Sequence, residues 1–331
     1  MNLIYKASAY LIGLLLLSAC KTTTEAEPPR QDPMGFGSVF LERITEDKEV
    51  ETWLRVSPNG KYLIFNLLLD QGSAASSESD FKSAFKDIFR KSSQQPEYRK
   101  SKDSVIAYIE IGKPGKRIVS QPGSHDASWY PDGRSFVYSV PQGREKMLAK
   151  TVIGEGISAI KFLYPTPCGK WDNEPSVSSD GKLVIFRSDS PRGIAIGKAY
   201  TSTEKCTVLF EGAEPQWHPR ARRFVFSKVI GGYYQLYIYD EPTSQLSQFT
   251  FGNYNNKHPS WSPNGDKITF VSDRNGNADV YVINANGTEL IQVTTGPAQE
   301  MYPTWSPDGY IYFSSNTGNQ VDIWRARLAG R

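Results

Sequence analysis

The chain has 331 residues, 39% hydrophobic and 12% aromatic, with a formal net charge of +3 that becomes +2 if Lys6 is removed with a leader. That composition suits a β-rich body large enough to bury a core as one domain. So small a charge offers no electrostatic footprint for nucleic acid, and none is expected as a partner.

Residues 1–19 carry one positive charge, Lys6, and then the apolar run Ala7–Leu17. The run is too short to span a bilayer and reads as a signal peptide. Leu17-Ser18-Ala19-Cys20 resembles the bacterial lipobox, which implies a lipid-anchored mature chain starting at Cys20. Lys21 stands where inner-membrane retention would ask for Asp, so the resemblance implies the outer membrane, facing the periplasm. Residues 20–38 are rich in Thr, Pro, Glu and Gly and read as a flexible tether.

From residue 39 onward a phrase recurs. Its clearest copies are Lys257–Phe270 (KHPSWSPNGDKITF) and Met301–Phe313 (MYPTWSPDGYIYF). Looser copies are His125–Tyr138, Asn173–Phe186 and Ala213–Phe226, and the first centres on Val56–Phe65. The Trp slot is filled by Val56, Trp129, Val177, Trp217, Trp261 and Trp305, at spacings of 73, 48, 40, 44 and 44. Four of the five spacings fall near the roughly 40–45 residues of a four-stranded propeller blade. Each copy reads as an inner strand, a Ser-Pro-Asp/Asn-Gly turn, a buried second strand, a third strand and a short outer strand. The last copy stops after its third strand, while Phe40–Thr45 precedes the first copy without a blade of its own. Thr45 lies 11 residues before Val56, as Thr250 does before Trp261 and Thr294 before Trp305. The expectation is an all-β, six-bladed β-propeller over 39–331, closed by this N-terminal strand.

The long first spacing holds an insertion over about 71–103. Within it Phe81, Phe85, Ile88 and Phe89 share one face of an expected amphipathic helix over about 80–91. The helix would either pack on the propeller wall or dock a partner or an anionic surface. Cys168 and Cys206 are an even pair in an oxidising compartment, yet their strand positions set them toward opposite faces, so a bridge stays open.

The P-x-W-S-P-D/N-G phrase, followed by Ser272-Asp273-Arg274-Asn275-Gly276 and Asp279-Val280-Tyr281, resembles the TolB-type propeller repeat. The resemblance covers about 39–331 and leaves no room for the α/β domain that precedes the TolB propeller. It implies a non-catalytic lipoprotein that binds an envelope protein or peptide, such as a peptidoglycan-associated lipoprotein. The alternative is a metal-assisted polysaccharide lyase or hydrolase, as in oligogalacturonate-lyase-like propellers. No G-x-S-x-G elbow, P-loop, dinucleotide fingerprint or Cys/His zinc spacing occurs, and no cofactor is expected. Three residues before the Trp slot the copies present Trp53, Asp126, Glu174, Glu214, His258 and Tyr302. These form the expected partner-binding rim of the channel. Their carboxylates and imidazole would also suit a divalent cation, although carboxylates there commonly accept backbone N–H bonds.

Overall fold

The computed structural model describes residues 39–46, 49–68, 104–155, 161–190, 193–203, 205–317 and 321–328. The leader, Cys20, the tether and the 71–103 insertion with its expected helix lie outside the described residues. The described residues contain strands and turns and no helix.

The inner strands are Val50–Val56, His125–Trp129, Trp171–Val177, Ala213–Trp217, Asn256–Trp261 and Glu300–Trp305. Each opens an antiparallel meander, and the six meanders are numbered here in chain order. Inner strands neighbour one another in that order, and the last also touches the first. In unit six the inner strand is followed by Ile311–Ser315 and Asp322–Leu328, and the position beyond is taken by Val39–Arg43, antiparallel to Asp322–Leu328. Units two and three merge into one sheet through a short parallel pairing of Trp171 with Lys146.

The turn phrase works through its serine. Ser57 Oγ donates to Asn59 Oδ1 at 2.7 Å and accepts the Tyr62 N–H at 2.9 Å, so one hydroxyl closes the turn that Gly60 completes at φ 70°. Ser178 with Asp180 and Ser262 with Asn264 repeat the arrangement. Unit four lacks serine there. His218 replaces it, its Nδ1 accepting the Arg220 and Ala221 N–H groups at 3.0 Å each. That places the proton on Nε2, which donates to the Gly265 carbonyl at 3.2 Å in the next unit.

The Trp slot fills the seams. Trp129 packs with Ile64 and Tyr108 of unit one, and Trp261 with Val225 and Leu236 of unit four. Each indole also donates back across its seam, Trp129 to the Arg55 carbonyl at 2.9 Å and Trp261 to the Gln216 carbonyl at 3.2 Å. Burying such a ring stabilises by about 2–3 kcal/mol.

The periodic threonine has a definite task. Thr250 Oγ1 accepts the Leu236 N–H at 2.8 Å, and Thr294 Oγ1 accepts the Val280 N–H at 2.9 Å, in each case from the third strand of its own unit. Thr45 Oγ1 accepts the Ile323 N–H at 2.9 Å, a partner 278 positions away. Two of these hydroxyls donate to a carboxylate on the next inner strand, Thr45 to Glu51 and Thr294 to Glu300, while Thr250 donates to Gln235 of its own unit.

Cys168 and Cys206 are bonded, with their Cα atoms 5.9 Å apart. The expectation that they point to opposite faces is corrected by the course of the chain after unit two. Leu163 extends the ladder by donating to the Leu148 carbonyl at 3.0 Å, and the segment then folds onto the buried Asp172. Asp172 accepts from Tyr164 Oη, the Cys168 N–H and Ser188 Oγ at 2.7–2.9 Å. This brings Cys168 beside the first residue of the outer strand Cys206–Glu211. The bridge closes a loop with a sequence separation of 38. Replacing both cysteines by alanine should lower unfolding stability by about 2–4 kcal/mol, read as a lower denaturant midpoint, with the m-value rising as the unfolded chain loses its cross-link.

Candidate functional site

Six residues share a backbone conformation that L-amino acids avoid. Trp53, Asp126, Glu174, Glu214, His258 and Tyr302 have φ between 51° and 59°. Each sits in a bulge of its inner strand, where the register to the second strand slips, as between Thr52 and Arg55 or Lys257 and Ser260. Four precede proline: Pro175, Pro215, Pro259 and Pro303. Left-handed geometry costs a side-chain-bearing residue about 1–2 kcal/mol, so tertiary contacts must hold it.

Those contacts run from unit to unit. Glu174 Oε2 accepts the Glu214 N–H at 2.5 Å, and Glu214 Oε2 accepts the His258 N–H at 2.7 Å. His258 lies against Tyr302 with ring centroids 4.3 Å apart, and Tyr302 against Trp53 at 5.3 Å. In unit two, Asn66 brackets Asp126 from unit one, donating to its carboxylate at 3.1 Å and accepting its N–H at 2.7 Å. The predicted rim residues are thus brought together. All six side chains are buried, at 6% relative exposure or less, so they do not present the open rim surface that was expected.

Cations from neighbouring positions balance this acidic half. Arg187 reaches Glu174 at 3.3 Å and Asp189 at 2.7 Å. Lys257 reaches Glu214 at 3.4 Å while its ammonium lies 4.2 Å above the Tyr234 ring. Ser227 Oγ donates to Glu214 at 2.9 Å. Burial alone would raise the Glu214 carboxyl, but the His258 and Lys257 charges and the N–H and hydroxyl bonds hold it well below the usual carboxylate range. The carboxylates are each turned onto such donors and do not converge. Among the described residues no group of three or more His, Cys, Asp or Glu is placed to hold a metal ion.

Sequence reading missed the supporting set. Asn66, Ser139, Arg187, Ser227 and Ser314 each follow the aromatic residue of a second strand. Asn66, Arg187 and Ser227 bond the ring residues, and Ser314 donates to the Glu51 carbonyl at 2.7 Å. A polar residue recurring inside an apolar strand was the available signal. Arg55 was missed too; it stands two residues past Trp53, where the other copies have Ser128, Ser176, Gln216, Ser260 and Thr304.

A carboxyl whose folded pKa is depressed stabilises above its unfolded value and loses that contribution as pH falls through the folded one. Melting temperature should therefore decline below the ordinary Glu value of 4.5. Glu214→Gln should cost about 3 kcal/mol at pH 7 and flatten the acid limb of the melting profile.

Residues 210–331 match the model of the TolB beta propeller domain. Among curated proteins none matches the chain. Of solved structures, TolB from Acinetobacter baumannii is similar at 18% identity and TM-score 0.57, over 68% of this chain and 60% of that one. A putative TolB from Agrobacterium tumefaciens is similar at 20% identity and TM-score 0.54, over 61% of this chain and 73% of that one. Oligogalacturonate lyase from Vibrio parahaemolyticus is similar at 12% identity and TM-score 0.53, over 88% of this chain and 98% of that one. The chain thus spans about three fifths of the Acinetobacter protein, and likeness at these identities is a likeness of fold. With its repeats and its meanders the chain has a fold like that of TolB propellers, and its residues 210–331 match the TolB beta propeller domain.

Proposed function

We propose that this chain is a non-catalytic cell-envelope lipoprotein, anchored through Cys20 in the outer membrane, whose propeller binds a periplasmic protein or peptide. The supporting observation is the TolB-domain match over 210–331 within a fold like that of solved TolB proteins. The six meanders serve as six blades, and Val39–Arg43 completes the sixth. Trp53, Asp126, Glu174, Glu214, His258 and Tyr302 shape the floor of the funnel, and the loops above them meet the partner.

Two kinds of loop surround that mouth. One is the hairpin between second and third strands, since the second strand ends beside the start of the inner strand, as Leu68 does beside Val50. The other is the connection from an outer strand into the next inner strand. Phe251, 66% exposed, lies on such a connection. Large exposed aromatic side chains beside a rigid floor are what protein interfaces use as anchors.

A photo-crosslinking side chain at Arg144 or Phe251, on the funnel face, should give one discrete adduct in intact envelopes. The same probe at Pro58 or Asn286, on the opposite turns, should give none. Adducts from the opposite turns alone would place the partner elsewhere, and no adduct at all would remove the protein-binding reading. For ring closure, Thr45→Val leaves the Ile323 N–H without its acceptor. It should cost about 1–3 kcal/mol, comparable to Thr294→Val, whereas a strand laid loosely on unit six would lose much less.

A further inference from the structure

Beside the ring, the Arg55 cation has no ion-pair partner among the described residues. The Arg55 guanidinium lies over the Trp53 ring, 4.8 Å from its centroid. Nη1 donates to the Leu54 carbonyl at 2.7 Å, and Nε is buried without a hydrogen-bond partner. Among the described residues no carboxylate forms an ion pair with it within 4.0 Å. In the five other copies this slot holds an uncharged residue, so the repeat itself does not require a guanidinium here.

The carboxylates whose field reaches Arg55 come from three other units: Asp126, Glu174 and Glu214. Each is engaged elsewhere, Asp126 by Asn66, Glu174 by Arg187 and the Glu214 N–H, Glu214 by Lys257, Ser227 and the His258 N–H. Burial lowers the Arg55 pKa to about 10 while the field of those carboxylates and of Tyr302 opposes the shift, so the group stays charged at neutral pH. A guanidinium largely withdrawn from water without a carboxylate partner is costly to keep. Arg55 is also the one member of this cluster that retains partial solvent contact, where the six ring side chains are buried. Its Nε–H lacks a partner, and a planar fork of donors matches a carboxylate better than any other common anion short of phosphate.

We infer that Arg55 is a carboxylate-receiving site at the centre of the propeller. It takes the free C terminus or an acidic side chain of the bound peptide. Trp53 holds the guanidinium from one side by stacking, and the Leu54 carbonyl fixes its plane. The peptide half of this inference rests on the protein-binding reading above; the carboxylate half does not.

The test is NMR of the arginine 15Nε–1Hε group, with the Arg55 resonance assigned by its loss in Arg55→Lys. Acetate should move this resonance along a saturating curve, while chloride at equal ionic strength should not. Acetyl-trialanine with a free carboxylate, or acetyl-Ala-Glu-Ala-amide, should move it as well, and acetyl-trialanine-amide should not. Backbone shifts of Trp53 and Leu54 report the same binding in Arg55→Gln, which should weaken it about tenfold or more. Arg55→Lys, which keeps the charge, should bind with intermediate affinity and guards against a glutamine variant that fails to fold. No movement at about 100 mM acetate, a hundred times a millimolar Kd, overturns the site. Movement with acetate but with neither peptide carboxylate keeps the site and removes the peptide as its occupant. Failure of the envelope crosslinks leaves the acetate titration untouched, so the two readings fail separately.

Discussion

Six residues held in left-handed backbone conformation, one per inner strand, are the constraint on which the rest of this molecule turns. None of the six is glycine, so each would relax if its surroundings allowed. They are kept in place by bonds that cross the seams: Glu174 to the backbone of Glu214, Glu214 to the backbone of His258, Asn66 to Asp126. A unit therefore stabilises the conformation of its neighbour, while Arg187 and Ser227 hold the carboxylates from within their own units. The arrangement makes the mouth cooperative, because a carboxylate removed from one unit exposes an N–H in the next. It also accounts for buried charge in a place where apolar packing would serve stability as well. The carboxylates do not fill space; they receive N–H groups that the bulge has taken out of the ladder.

The turns show how far the repeat tolerates substitution when the physical task is preserved. Ser57, Ser178 and Ser262 close their turns with a hydroxyl that both donates and accepts. In unit two Asp132 takes over, accepting the Arg134 and Ser135 N–H groups at 2.8 and 2.7 Å. In unit four an imidazole does so and adds a link to Gly265. A Cβ built on Gly265 would lie 2.2 Å from His218 Nε2, so the glycine of one unit and the histidine of the other are matched. His218 is thus explained as a turn acceptor rather than a reactive group.

What was legible in the sequence is what depends on short-range chemistry. The Ser-Pro-Asp/Asn-Gly phrase announces its turn because the hydrogen bonds that close it lie within five residues. The Trp slot announces a seam because a large ring fills it in four of the six copies, with Val56 and Val177 in the other two. The offset of Thr45, Thr250 and Thr294 was visible as spacing, and the structure supplies its cause, one hydroxyl accepting a third-strand N–H in each case. The cysteine bridge was not legible, because Asp172 draws the 164–172 segment back across the seam, and a carboxylate collecting scattered donors leaves no periodic trace. Nor was the burial of the ring residues, whose polar character suggests a wet surface until their partners on the second strands are known.

The pairing of Val39–Arg43 with Asp322–Leu328 also bears on the order of events in synthesis and export. Arg325 Nε donates to Glu42 at 2.8 Å across 283 positions of chain. Contacts so distant in sequence form late, since loop closure must come first. The first strand of the described chain has no place to go until the last one has arrived. A polypeptide emerging N-terminus first would carry that strand unpaired for its whole passage, and the open edge of the final sheet would be the last to be covered. Any chaperone that holds extended segments has a natural substrate there, and a fragment ending before Asp322 would keep both strands' worth of unpaired edge exposed.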